Sequence, residues 1–195
     1  MRLIAITGGI GSGKSVVSRV VRVMGYGVYD CDSRAKSLMT RDPMVCQQLM
    51  EAFGKEVYLA DGSLNRAHLS AAFTDPSALA RLNAIVHPAT ATDLINWADE
   101  QAEAGAEIAF VETALLRTSG LDRVVDDVWH VTAPDQVRID RVIARSGLTA
   151  AQVKERMAAQ RDEEAPADGE HIIINDNVTA LLPQILKELK VTSEK

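Results

Sequence analysis

Apolar and polar residues alternate in blocks along this chain, and the blocks are of two kinds. Short apolar runs at Leu3 to Thr7, Tyr26 to Tyr29, Glu107 to Glu112, Val124 to Val131 and His171 to Asn175 have strand length and are bounded by glycine or polar residues. Between them apolar residues recur at helical spacing. Val16, Val17, Val20, Val21 and Met24 form one such face, and Leu181, Leu182, Ile185, Leu186 and Leu189 form the last. Both sets are expected in the core. Gly25 and Gly105 stand where helices should stop. Asp75 before Pro76 marks a helix start, as does Pro134. Thr149 with Gln152 has capping-box spacing.

The stretch from Ser33 to about Ala104 reads as helical, with Leu94, Ile95 and Trp97 buried and Pro88 interrupting the run. The segment Asp162 to Gly169 reads as a polar loop. Apolar strands alternating with helices imply an α/β fold with a parallel sheet covered on both faces. Residues 1–32, 105–133 and 170–195 form its core. Residues 33–104 are expected to be a helical insertion, and 134–169 a helical region between the fourth and fifth strands.

Composition narrows the function. At 47% hydrophobic residues, the 195-residue chain has enough apolar surface for a substantial core. Its net charge of −6 argues against non-specific nucleic-acid binding, which needs a basic footprint. Two cysteines, Cys31 and Cys46, make no disulfide scaffold, and the four histidines lack metal-ligand spacing. The first residues are too short an apolar run for a secretion signal, and no run has membrane-spanning length, so a cytoplasmic protein is expected.

The chemistry is concentrated after the first strand. Gly8-Gly9-Ile10-Gly11-Ser12-Gly13-Lys14-Ser15 matches G-x-x-x-x-G-K-[ST] between a strand and a helix. Glycines let the backbone curl and present N–H groups to phosphate oxygens, and the helix adds its positive end. Lys14 is expected on the β- and γ-phosphates of ATP. Gly11, Ser12, Gly13 and Val16 are expected to wrap the triphosphate through the backbone, with position 16 facing the core or flanking the phosphates. Ser15 is expected on Mg²⁺. No Asn-Lys-x-Asp reads guanine, and the third strand ends in Glu112 rather than the aspartate of transport and motor ATPases. Small-molecule kinases remain.

Asp30 and Asp32 end the second strand. Two residues apart in extended chain they share a side, at the sheet edge where ligands bind. One of them is expected to take or orient the acceptor's hydroxyl proton, unless they merely cap the next helix.

The ordered set of motifs resembles the dephospho-CoA kinase family over nearly the whole chain. It comprises Thr7 to Ser15, Asp30-Cys31-Asp32, His87-Pro88, Glu112 to Leu116 with Ser119-Gly120-Leu121, Arg141 and Arg145, Gln160, and Asn175. The resemblance implies a five-stranded sheet in the order 2-3-1-4-5. It implies transfer of phosphate from ATP to the ribose 3′-hydroxyl of dephospho-CoA, with Asp32, Lys14 and Arg141 as catalytic residues. Asp30, Asp32, His87 and Glu112 fall on the substrate side, residues 33–104 become the CoA-substrate domain, and 134–169 become the lid region. Arg141 and Arg145 share a helix face that either closes over ATP or carries solvated charges. Asn175 either meets adenine or turns the chain. Ala114-Leu115-Leu116-Arg117-Thr118 lacks the proline and final acid common in the family. A shikimate-like kinase is the rival enzyme, but its Gly-Gly-Arg-x-Pro segment is missing. A non-catalytic ATP-binding module is the rival of another class. The sequence leaves the oligomeric state open.

Overall fold

A computed structural model describes residues 1–160 and 165–193; Asp162, Glu163 and Glu164 of the polar loop lie outside the described residues. The chain divides into two compact units, residues 1–29 with 100–195, and residues 30–99.

The first unit is built on a sheet. Its strands are β1 (Arg2–Thr7), β2 (Gly27–Asp30), β3 (Ile108–Glu112), β4 (Asp127–Thr132) and β5 (His171–Ile174), in the order β2-β3-β1-β4-β5. β1 pairs in parallel with β3 (Ile6 opposite Glu112) and with β4 (Thr7 opposite His130), and β4 pairs in parallel with β5. As the central strand, β1 is covered on both faces, and Leu3, Ile4, Ala5 and Ile6 are all buried. Helix α1 (Lys14–Val23) lays Val17 and Val21 on this sheet, beside Phe110, Trp129, Val131 and Ile173. Trp129 is fully buried, its ring 5.0 Å from that of Phe110. Val16 and Met24 belong to the same predicted face but are exposed, because they sit at its margins.

Helices α2 (Cys31–Arg41), α3 (Pro43–Phe53), α4 (Arg66–Thr74) and most of α5 (Pro76–Glu103) form the second unit. Its core is Val45, Leu49, Val57, Leu69, Leu82 and Val86. Arg34 of α2 grips Asp93 of α5 through two bonds of 2.7 and 2.6 Å. The expected interruption at Pro88 is corrected, because α5 runs through the proline. Its buried stripe of Leu82, Val86, Thr90 and Leu94 continues at four-residue spacing across the site. The Thr90 hydroxyl donates to the Val86 carbonyl at 2.8 Å. One missing N–H costs less than abandoning that stripe. Ile95, one position off the stripe, is exposed, and Trp97 is half-buried.

The chain returns to the sheet unit through β3 and β4, then α6 (Asp135–Ser146) and α7 (Ala150–Ala159). Ile139 and Val142 of α6 pack on Val153 and Met157 of α7. The predicted capping box forms: the Thr149 hydroxyl accepts from the Gln152 N–H, and the Gln152 side chain accepts from the Thr149 N–H at 2.9 Å. The last helix, α8 (Leu181–Ser193), buries Ile185 and Leu189. Leu182 and Leu186, expected on the same face, occupy the neighbouring row and are exposed. Among the described residues no helix is long and apolar enough to cross a membrane.

Candidate active site

The loop between β1 and α1 is held by its carbonyls. Lys14 folds back so that Nζ donates to the Gly8 and Gly9 oxygens at 2.7 and 3.2 Å. The Ile10 carbonyl accepts from Arg138 Nε at 2.9 Å. Those of Gly11 and Ser12 accept from the Arg141 guanidinium at 3.3 and 3.2 Å. Ser12 also accepts from Asn175 Nδ2 at 2.9 Å, and Gly13 from the Val16 N–H at 2.9 Å. A trans peptide points its C=O and the next N–H in opposite directions. The Ile10 and Ser12 carbonyls, held by side chains of other elements, therefore turn the N–H groups of Gly11 and Gly13 to the opposite side. The N–H groups of Gly11, Gly13 and Ser15 have no acceptor among the described residues. The hydroxyls of Ser12 and Thr7 are also buried without a hydrogen-bond partner among the described residues.

Two glycines are required by contact as well as by conformation. Gly11 has φ +79°, and a Cβ there would come within 2.6 Å of the Arg138 carbonyl oxygen. Gly13 has φ +98° at the N-cap of α1, and its Cβ would overlap Asn175 Nδ2.

The arrangement can serve as an anion cradle: N–H groups without acceptors, the N-terminus of a ten-residue helix, and a lysine folded onto the loop. Ser15 is exposed and its hydroxyl has no partner among the described residues. Among the described residues no group of three or more His, Cys, Asp or Glu side chains is suited to a metal. A lone hydroxyl beside a phosphate cradle suits Mg²⁺, which takes most of its ligands from phosphate and water.

Arg141 thus joins Gly11 and Ser12 directly, and Asn175 joins Ser12 and lies against Gly13. The Arg141 guanidinium also donates to the backbone and side-chain oxygens of Asn175 and to Asn177. Val16 commits its N–H within the first helical turn, and its side chain is 44% exposed rather than in the core. Arg145 is exposed. Glu112 ends β3 opposite Ile6. In the altered segment after it, Arg117 pairs with the half-buried Glu170, which also meets His130 Nδ1 at 3.1 Å.

Asp30, Asp32 and His87 belong to the second unit. Asp30 is the N-cap of α2, accepting from the Ser33 N–H at 3.1 Å and its hydroxyl at 2.7 Å. The helix begins at Cys31, so the two aspartates do not share a side as extended chain would place them; Asp32 lies in the first turn, exposed and without a bonding partner among the described residues. His87 is half-buried in α5, and burial holds its imidazole pKa below the ordinary value.

Arg138 carries no expectation in the sequence. It is 6% exposed and lies on α6 one turn before Arg141, and that spacing was the available signal. Gln160, matched only by resemblance, accepts from the Ile10 N–H at 3.0 Å.

The family pattern described as dephospho-CoA kinase matches residues 2–180. A protein named dephospho-CoA kinase from Porphyromonas gingivalis is 38% identical, the match spanning 100% of this chain and 96% of that protein. A crystal structure of a Thermus thermophilus protein superposes with TM-score 0.77 at 31% identity, covering 99% of this chain and 96% of the other. The structure of a dephospho-CoA kinase from Campylobacter jejuni matches with TM-score 0.66 over 100% of this chain and 97% of that one; at 19% identity it speaks for the fold alone.

Proposed function

Because the chain belongs to the dephospho-CoA kinase family, we propose that it moves the terminal phosphoryl group of ATP onto the ribose 3′-hydroxyl of dephospho-CoA. The products are coenzyme A and ADP, in the last step of coenzyme A formation in the cytoplasm. The observation that carries this reading is the loop itself. Its carbonyls from Gly8 to Gly13 are all engaged, and the N–H groups of Gly11, Gly13 and Ser15 remain as donors.

ATP is held at its phosphates by these donors and by Lys14, which leaves the Gly8 and Gly9 carbonyls to reach them. Such preset donors act most strongly on charge that develops during transfer. The Ser15 hydroxyl would hold Mg²⁺, which when bound would supply positive charge at the phosphate oxygens. Asp32 takes the proton of the 3′-hydroxyl as that oxygen bonds to the γ-phosphorus and the bridging bond to ADP breaks. Its lack of a bonding partner among the described residues suits a base, whereas the bonds made by Asp30 suit a cap. Asp30, His87 and Glu112 serve the substrate side. Residues 33–104 take dephospho-CoA, and 134–169 act as the lid. Arg141 acts at the loop and Asn175 at the nucleotide.

The test is purified protein with ATP, Mg²⁺ and dephospho-CoA, read by mass spectrometry for a product one phosphate heavier. Shikimate and adenosine run in parallel, and Lys14→Ala is the blank. Phosphorylation of dephospho-CoA that disappears in the blank supports the reading. Product from another acceptor only, or from none, rejects it.

A further inference from the structure

Arg138 is a nearly buried cation whose Nε–H donates to a backbone carbonyl 128 residues away, that of Ile10. The same residue of the loop is gripped from its other side, since the Ile10 N–H donates to Gln160 Oε1 at 3.0 Å. The Ile10 side chain packs against the cluster of Ile139, Val142, Val153 and Met157. The tip of the loop is therefore tied to the α6–α7 hairpin by three kinds of contact. Within the Ile10–Gly11 peptide, planarity makes the outward C=O and the inward N–H one rigid object. Whatever fixes the Ile10 carbonyl also aims the Gly11 N–H, one of the donors left without an acceptor.

We propose that Arg138 is a positioning residue for nucleotide binding: its Nε–H sets the Ile10–Gly11 peptide so that the Gly11 N–H points at a phosphate oxygen. This rests on the reading of the loop as an ATP site. The function lies in the direction of one bond, not in the guanidinium charge, part of which faces Asp135 Oδ1 at 3.4 Å.

The side-chain atoms allow the two contributions to be separated. Nε2 of glutamine stands the same number of bonds from Cα as Nε of arginine. Arg138→Gln therefore keeps a donor for the Ile10 carbonyl and removes the charge. Arg138→Met keeps the bulk and removes both. Arg138→Lys keeps the charge and moves the donor one atom further out.

ATP binding is measured by calorimetric titration of the full-length protein and each variant, with melting temperatures recorded beside it. The expected result is near wild-type affinity for Arg138→Gln. A mis-aimed N–H to a charged phosphate should weaken binding about 10- to 100-fold in Arg138→Met. Arg138→Lys should be weakened as well, and it carries the test should the methionine variant not fold. Equal weakening in the Gln and Met variants would assign the effect to charge and overturn the proposal. Wild-type affinity in Met or Lys, with only the melting temperature lowered, would make the residue structural and overturn it too. If the wild-type protein itself does not bind ATP, the reading of the site falls first and this inference with it.

Discussion

Replacing Gly11 by alanine tests the cradle most directly. The backbone there has φ +79°, and a Cβ would sit 2.6 Å from the carbonyl oxygen of Arg138. That oxygen belongs to helix α6, so the wall does not yield as a flexible side chain would. The loop must back away by at least about 0.4 Å to reach the shortest contact real Cβ atoms make. A left-handed conformation alone costs a non-glycine residue about 1–2 kcal/mol. One hydrogen bond to a charged group contributes about 1.5–3 kcal/mol. Misdirecting the Gly11 N–H and straining the bound loop together should cost about 3 kcal/mol of binding, or about 100-fold in affinity. Gly147→Ala is the control. It too has positive φ, +67°, but nothing lies within 4 Å of its Cβ. It should lower stability by about 1 kcal/mol and leave ATP affinity within about twofold. Titration calorimetry with ATP and urea unfolding read the two quantities. Unchanged ATP affinity in Gly11→Ala, with the protein folded, would refute the reasoning that these N–H groups hold phosphate.

Further outcomes distinguish the remaining roles. Asp32→Asn should lower turnover of dephospho-CoA by about 10²–10⁴-fold without altering the urea midpoint. Asp30→Ala should instead cost about 1 kcal/mol of stability through the lost cap of α2; a reversed pattern would exchange their functions. Thr149→Ala removes one half of the α7 capping box and should destabilise by about 1 kcal/mol in urea, and no change would mean that the box contributes nothing. His87 has its pKa lowered by burial, so the unfolded chain binds more protons at this residue. Its contribution is present above pH ~6.5 and is lost as pH falls through the lowered native value. Between about pH 7.5 and about pH 5.5, wild-type protein should therefore lose more stability than His87→Gln; parallel losses would contradict this.

What the sequence discloses is mostly what is contiguous in it. The strand, glycine loop and helix at the start can be read directly because the motif and its flanks lie within two dozen residues. The Thr149 box is likewise local. Pro88 misleads because a proline is read as a boundary, whereas the four-residue stripe from Leu82 to Leu94 passes through it. Asp30 and Asp32 mislead because the period of a strand does not carry two residues past the strand's end, where Asp30 already caps α2. Leu182 and Leu186 have the right residue type on the wrong row of α8. Arg138 is silent in sequence for a different reason. Its partner is a main-chain carbonyl, which has no letter of its own, and only the fold brings α6 to it.

The chain's two tryptophans fall one in each compact unit, Trp129 in the sheet and Trp97 in the helical insertion. Trp129 is enclosed against Phe110, and its indole N–H is buried without an acceptor among the described residues. It should emit at short wavelength and resist water-borne quenchers. Trp97, half-buried on α5, should emit further to the red and be quenched readily. Each unit thus carries its own fluorophore, and one denaturant titration, read at the blue and red edges of the spectrum, follows both. Coincident curves would mean that the units melt as one cooperative body, and separated curves would rank them.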